Sequence, residues 1–122
     1  MAQEKYKQKQ KTLNNFRTKT IENLGEFAKL EELNICFNSI QKIENLSRLT
    51  KLRKLNLSEN QIAKIENIEC LSLLEELNLD GNRIERIPKN IEKLKRLSVL
   101  KLERNKLSIV STFLRSDRNN WF

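Results

Sequence analysis

The chain has 122 residues, of which 38% are apolar and 33% charged, and its 24 Lys and Arg against 16 Asp and Glu give a net charge of +8. It contains no His and only two glycines, which excludes His-based acid–base catalysis, His-ligated metals and glycine-rich phosphate loops. The composition therefore predicts one small domain. Since no arrangement of residues in the sequence supports catalysis, we expect no enzymatic activity, no metal and no cofactor.

Residues 1–20 form a basic segment, in which six Lys or Arg residues are opposed by Glu4 alone. The segment lacks the apolar stretch of a secretory signal, and no apolar run in the chain approaches the length of a membrane span. We interpret residues 1–20 as disordered or as part of an N-terminal cap. A basic segment of this kind can bind nucleic acid through counterion release, and the alternative is a solvating segment without a partner.

One segment recurs four times after residue 29, at offsets of 22, 22 and 23 residues. Each copy fits the template L-x-x-L-x-L-x-x-N-x-L, with Ile accepted in place of Leu. All five template positions are filled in every copy, so chance is not a reasonable explanation, and the pattern is identified as leucine-rich repeats. The copies begin at Leu30, Leu52, Leu74 and Leu97.

The L-x-L core of each copy alternates with a period of two, which predicts a short strand with one buried face. Strands that recur once per repeat are expected to stack in parallel, about 4.8 Å apart. An Asn follows each strand at the point where the chain turns away, and its amide can satisfy backbone groups there. We therefore predict a structural ladder made of Asn38, Asn60, Asn82 and Asn105.

The other half of each repeat has apolar residues with a period of three, which favours 3₁₀-helical or irregular convex segments. The phrase Ile-Glu-Asn begins at Ile21, Ile43 and Ile65, whereas the next segment begins Ile87-Pro88. We predict an α/β leucine-rich-repeat solenoid with four to five short parallel strands over residues 21–114. Residues 115–122 lack repeat character and do not suit a cap, so we expect a fragment or short form of a longer protein.

The 22-residue spacing and the Ile-Glu-Asn phrase together resemble a subclass of these repeats. Similar repeats occur in the regulatory subunit of type one protein phosphatase and, most closely, at the N-terminus of centriolin-like centrosomal and ciliary proteins. The resemblance covers roughly residues 21–107 and implies a cytoskeletal protein-binding module at a centrosome or cilium. Cys36 and Cys70 are typical of free thiols in a reducing compartment, which favours an intracellular, cytoplasmic location.

Side chains between the buried leucines are expected to face the concave side of the solenoid, in columns. The result is a mixed, mildly acidic surface with a strip of Asn side chains and an apolar spot at Cys36 and Phe37. Because interfaces favour aromatic anchors with a polar surround, we predict a protein partner here; the alternative is a merely solvated face. The candidates are Glu32, Asn34, Cys36, Phe37, Lys54, Asn56, Ser58, Glu76, Asn78, Asp80, Lys101 and Glu103.

Two other functions stay open at this point. The concave acids fit a phosphatase regulatory subunit, and the basic segment fits a nucleic-acid-associated repeat protein. The carboxylate pairs Glu31-Glu32 and Glu75-Glu76 are not expected to converge, so we assign them no acid–base role. A second basic cluster surrounds the third return segment, where a solvated surface is the simpler interpretation; it comprises Arg83, Arg86, Lys89, Lys93, Lys95 and Arg96. The sequence leaves the oligomeric state open.

Overall fold

Five short strands and two 3₁₀ helices make up the regular elements of the computed structural model, which describes residues 8–15 and 17–108. The 3₁₀ helices are Gly25–Phe27 and Lys89–Lys93, and the described residues form no α-helix. The predicted solenoid of short parallel strands with 3₁₀ or irregular convex segments is confirmed. The strands are β1 (Gln10–Thr12), β2 (Glu32–Asn34), β3 (Lys54–Asn56), β4 (Glu76–Asn78) and β5 (Val99–Lys101).

The strands form one parallel sheet in chain order, from β1 to β5. The register places equivalent template positions opposite one another, so that Leu33 pairs with Leu55 and Leu55 with Leu77. The 23-residue offset leaves this register intact, since Leu77 pairs with Leu100. The extra residue is therefore absorbed in the return segment that contains the second 3₁₀ helix.

The core is one continuous cluster of Leu and Ile side chains that extends from Ile21 to Leu102. Inward-facing strand residues meet the period-three residues of the return segments there, and most of them are fully buried. Each coil contributes only one layer of this cluster, so the coils must stack to bury it. Burial of one such Leu side chain stabilises the fold by about 2 kcal/mol.

The first strand lies within the basic N-terminal segment. β1 pairs with β2 in the common register, and the Leu13 N–H donates to the Asn34 carbonyl at 2.8 Å. β1 thus lies within residues 1–20, which we had interpreted as disordered or as part of an N-terminal cap. The predicted end at residue 114, the tail at 115–122 and its fitness as a cap lie outside the described residues.

The core-facing position of β1 holds Lys11, opposite Leu33 of β2. Its ammonium group lies 4.9 Å from the centre of the Phe27 ring, and Phe27 itself is buried in the first 3₁₀ helix. A cation–π contact of this kind lets a charged side chain occupy a position that Leu takes in the later coils. The first coil therefore keeps the geometry of the solenoid without its apolar sequence.

Candidate functional site: the concave face

The predicted columns of side chains are aligned across the concave face by the strand register. The first column contains Glu32, Lys54 and Glu76, which pair in neighbouring strands. The Lys54 ammonium lies 3.6 Å from the Glu32 carboxylate, whereas Glu76 forms no ion pair with a described residue. Beside them is a shallow cavity of about 270 Å³, which extends from β1 to β4. Its polar lining includes Gln10, Thr12, Glu32, Asn34, Lys54, Asn56 and Glu76.

A row of alternating charge runs along the edge where the strands begin. Glu31 lies 3.7 Å from the Lys9 ammonium and 3.6 Å from the Arg53 guanidinium. On its other side Arg53 donates to the Glu75 carboxylate at 2.7 Å. This hydrogen bond lowers the pKa of Glu75 and raises the pKa of Arg53. Glu31 and Glu75 are therefore held in ion pairs at this edge. Sequence analysis assigned these carboxylates no acid–base role, but it did not predict the ion pairs.

The Asn strip consists of Asn34, Asn56 and Asn78, which are half-buried. Their side chains form hydrogen bonds with the backbone of their own coil. Each side-chain oxygen accepts the N–H two residues ahead, at 3.2, 3.0 and 3.0 Å respectively. These bonds stabilise the bend at the end of the strand. Within the described chain the Nδ2 groups have no hydrogen-bond acceptor, so the strip offers a partner donors rather than acceptors.

Two residues of the predicted partner-binding set are removed from the surface. Cys36 is only 6% exposed and Ser58 only 9%, because the chain bends inward where each strand ends. The expected apolar spot therefore consists of Phe37 alone. Burial raises the pKa of the Cys36 thiol, and it also raises the pKa of Cys70. Neither thiol has the lowered pKa of a nucleophile.

The last two coils place polar residues on the concave face, at Asp80, Lys101 and Glu103. Asp80 is half-buried, and its side-chain oxygen accepts the Glu103 backbone N–H at 2.7 Å. Glu103 and Lys101 are exposed and form no ion pair with a described residue. The concave face thus keeps free carboxylates at Glu76 and Glu103, in agreement with the mildly acidic surface expected from the sequence.

The rim of the concave face is formed by residues with a left-handed backbone. Phe37, Glu59, Gly81 and Arg104 occupy equivalent positions, with φ of 57°, 55°, 68° and 55°. Glu59 and Arg104 form an ion pair that spans the coil between them. Gly81 lies under this pair, and a Cβ atom there would be 2.6 Å from the Glu59 carboxyl atoms. Gly81 therefore permits both the turn and the ion pair.

Phe37 differs from its equivalents because it places an aromatic ring at the rim. It is 57% exposed, which makes it the one large hydrophobic residue of the described chain that is exposed. A left-handed backbone costs a residue with a Cβ about 1–2 kcal/mol, and a bulky side chain is rare there. Neither the turn nor the core accounts for Phe at this position.

The predicted Asn ladder joins each coil to the preceding one. In Asn82 the side-chain oxygen accepts the Ile62 N–H at 2.9 Å, and Nδ2 donates to the Leu57 carbonyl at 2.9 Å. Equivalent bonds are made by Asn60, from the Ile40 N–H at 3.0 Å and to the Ile35 carbonyl at 3.0 Å. Asn38 and Asn105 have the same bonding pattern at the two ends. These residues stabilise the scaffold rather than contact a partner.

A further set of Asn side chains, distinct from the strip and the ladder, explains the Ile-Glu-Asn phrase. Sequence analysis did not recognise the role of these residues. Asn23, Asn45 and Asn67 have φ of 61°, 61° and 58°, a conformation that Asn tolerates better than most residues. Asn45 Nδ2 donates to the Ile21 carbonyl at 2.6 Å, and Asn67 Nδ2 to the Ile43 carbonyl at 2.7 Å. The recurrence of Asn with a fixed offset was the signal that could have revealed this row.

Metal binding and membrane insertion are two further roles for which a chain needs particular structural features. The described part of the chain contains no group of three or more His, Cys, Asp or Glu side chains placed to hold a metal ion. No helix within it has the length and apolar character to cross a membrane.

The fold and the repeats have counterparts among known proteins. Residues 28–84 match the leucine rich repeat family model, whereas a search of curated proteins finds no match. Internalin C2 from Listeria monocytogenes is similar with a TM-score of 0.78 and 28% identity, over 93% of this chain and 50% of that chain. A chain of the Drosophila melanogaster SNF/U2A′ complex is similar with a TM-score of 0.77 and 22% identity, over 93% of this chain and 69% of that chain.

A further internalin of Listeria monocytogenes, inlF, has a TM-score of 0.70 and 20% identity, over 92% of this chain and 39% of that chain. The chain thus spans half or less of the length of the two internalins. Sequence identities this low show a similar fold and no more. The coils outside residues 28–84 keep the register of the coils inside. The described chain is accordingly one continuous solenoid, of which residues 28–84 match leucine rich repeats.

Proposed function

We propose that this chain is a non-enzymatic module that binds a protein partner on its concave face, with Phe37 as the anchor at the rim. Leucine-rich repeats are suited to this role, because stacked coils hold the side-chain columns in fixed positions. A partner therefore meets a surface that is already ordered, and little entropy is lost from the module on binding. Assembly of a similar fold in the SNF/U2A′ complex agrees with a protein partner.

The exposure and conformation of Phe37 carry this proposal. The ring leaves more than half of its surface in water, and its backbone takes a left-handed φ. Both features oppose folding, whereas Asn15 meets the same backbone requirement one coil earlier with a polar side chain. Aromatic side chains are the commonest anchors of protein interfaces, particularly when a polar surround excludes water. Asn34 of the Asn strip, three residues before Phe37 in the same coil, is a polar residue of such a surround.

The cellular setting is proposed from the sequence resemblance alone. The Ile-Glu-Asn phrase and repeat length support a cytoskeletal partner at a centrosome or cilium, and a cytoplasmic location. A regulatory role toward a type one protein phosphatase is the second candidate, supported by the free concave carboxylate of Glu76. Capture of a phosphatase catalytic subunit that is lost with Glu76→Lys and Asp80→Lys would favour the second candidate over the first.

Affinity capture with matched variants tests the module itself. Phe37→Asn removes the ring and keeps a residue that accepts the left-handed turn, so the fold should survive. Leu73→Asn is the control, because Leu73 is a half-buried apolar residue in a return segment away from the concave face. We expect Phe37→Asn to lose partners that wild type and Leu73→Asn both retain, measured by quantitative mass spectrometry. Identical partner sets for all three proteins would overturn the proposal.

Stability separates recognition from packing in the same experiment. Phe37→Asn loses some apolar burial and relieves backbone strain, and these terms oppose each other at about 1 kcal/mol each. We expect the free energy of unfolding in urea to change by less than about 1 kcal/mol. A loss above about 2 kcal/mol would identify Phe37 as a packing residue and remove the observation on which the proposal rests.

A further inference from the structure

The charges of the solenoid are unevenly distributed along its axis. Residues 21–82 contain seven basic and eleven acidic residues, a net charge of −4. Residues 83–106 contain nine basic and three acidic residues, a net charge of +6. The last described coil therefore holds the basic character of the folded body, separately from the basic segment at the N-terminus.

Five cations of this coil form what we call the convex belt: Arg83, Arg86, Lys89, Lys93 and Lys95. Arg83 and Arg86 precede the second 3₁₀ helix, Lys89 and Lys93 lie within it, and Lys95 follows it. All five side chains are exposed. Because this return segment leads the chain from β4 across the convex side to β5, the belt follows the outer surface of the coil.

The belt differs from the strand side in how its charges are balanced. On the strand side Arg53, Lys54 and Arg104 each form an ion pair with a Glu of a neighbouring or next-nearest coil. In the convex belt no cation forms an ion pair with a described carboxylate. A cluster of exposed like charges repels itself and gains most from an external anion. These three strand-side cations are thus paired within the chain, whereas the cations of the belt are available to a charged ligand.

We propose that the convex belt binds a flexible acidic polypeptide segment, rich in Asp and Glu. The cations are spread along a path that turns around the coil, and a flexible chain can follow this path and meet several of them. The complex would be held by exposed ion pairs, which are individually weak and sensitive to salt. This surface is distinct from the concave face, so both partners could bind at once.

Other polyanions fit the belt less well. Proteins bind single-stranded nucleic acid by stacking bases on aromatic side chains, and the belt contains no aromatic residue. Duplex DNA is stiff over about 150 base pairs, so it cannot adapt its shape to cations on a short irregular segment as a flexible chain can. Stable docking on an anionic membrane usually adds apolar insertion to charge attraction, and the large apolar residues of this segment, Ile87, Ile91 and Leu94, are buried.

Fluorescence anisotropy with defined probes tests the proposal. The probes are a fluorescein-labelled dodecaglutamate peptide, a labelled DNA duplex and a labelled oligouridylate, each at low and physiological ionic strength. The variant is Lys89→Glu with Lys93→Glu and Lys95→Glu. The control is Lys42→Glu with Lys51→Glu and Lys64→Glu, which reverses three exposed cations of other coils for the same change in net charge. Circular dichroism checks that both variants are folded.

We expect the peptide to bind, its affinity to fall with salt, and the belt variant to weaken binding about tenfold, the sum of three exposed ion pairs. The control variant should weaken binding by less than about threefold, which is half of the effect of the belt variant in free energy. Equal weakening by both variants would show that binding depends on the net charge of the protein and not on the position of the belt, and this would overturn the proposal. Tighter binding of the duplex or the oligouridylate would overturn it in favour of nucleic acid, as would absence of any peptide binding.

Discussion

Two rows of Asn side chains run side by side along the sheet, and they differ in what their amides do. The Asn ladder is deeply buried at Asn60 and Asn82, and both atoms of each amide bond to neighbouring backbone. The Asn strip, four residues earlier, is half-buried and leaves its Nδ2 groups open. The same residue type at the same spacing therefore serves the scaffold in one row and can serve recognition in the other.

The turn between the rows produces this difference. After the strip the chain passes through a left-handed residue at the rim, which directs the next side chain inward. A ladder Asn then meets backbone groups of the preceding coil, whereas Asn34 and Asn56 of the strip line the concave cavity. Buried polar groups must be bonded, so the inner row is fixed by the fold and the outer row is free to vary.

The largest effect is expected when the ladder is broken. Asn82→Ala would leave the buried Ile62 N–H without its acceptor and would remove one of the two hydrogen bonds that the Leu57 carbonyl accepts, the other coming from Asn60. An orphaned buried group costs about 1–3 kcal/mol and each further lost hydrogen bond about 1 kcal/mol, so we expect a loss of about 3 kcal/mol in the free energy of unfolding, measured in urea. If Asn82→Ala cost less than about 1 kcal/mol, the ladder would not be the structural element described above.

An intermediate effect is expected in the turn itself. Gly81→Ala would place a Cβ at φ 68° and displace the Glu59 carboxylate from Arg104, which should cost about 1 kcal/mol. The control is Gly25→Ala, where the new Cβ would meet only Arg48 at 3.6 Å. Thermal denaturation should therefore show a lower midpoint for Gly81→Ala and little change for Gly25→Ala. Equal midpoints would mean that the rim turn tolerates a side chain without strain.

A smaller effect is expected in the strip. Asn78→Ala removes one partly exposed hydrogen bond, to the Asp80 N–H at 3.0 Å, and should cost about 0.5–1 kcal/mol. Comparison with Asn82→Ala under the same conditions gives the contrast between the rows directly. Similar losses at Asn78 and Asn82 would contradict the division into a structural and a recognition row.

The smallest effect concerns the thiol that lies between the rows. Burial raises the pKa of Cys36, so at neutral pH its reactive thiolate is scarcer than that of an ordinary exposed thiol. We expect slow alkylation of Cys36 by iodoacetamide in the native protein and rapid alkylation in urea, followed by mass spectrometry. Rapid alkylation of the native protein would show that the turn between the rows opens readily.

Much of the scaffold was predictable because the sequence repeats. The template positions predicted the strands and the inward-facing leucines, as Leu55 and Leu77 show, and they placed Asn60 and Asn82 at the turns. The role of Asn45 and Asn67 was not recognised, since a bridge between coils joins residues 24 apart in the chain. The first strand lies in the segment interpreted as disordered or as part of a cap, because Lys11 stands where the later strands have Leu.

The candidate site was predicted less completely. The columns were placed correctly by period-two alternation, but Cys36 and Ser58 proved to be buried, because alternation describes a strand and not the bend that follows it. The pairing of Glu59 with Arg104 across Gly81 joins residues two coils apart. Such a contact depends on side-chain reach over a third coil, which the template does not encode.

The sequence by itself determined the repeat length, the strand positions and the composition of the core, because these follow from local periodicity. Only the tertiary structure decided which polar groups are satisfied and which remain free. Stacking brings residues 22 or more positions apart into contact, and charge and hydrogen bonding act through space rather than along the chain. That is why the paired cations of the strand side and the unpaired cations of the convex belt become distinct only in the folded solenoid.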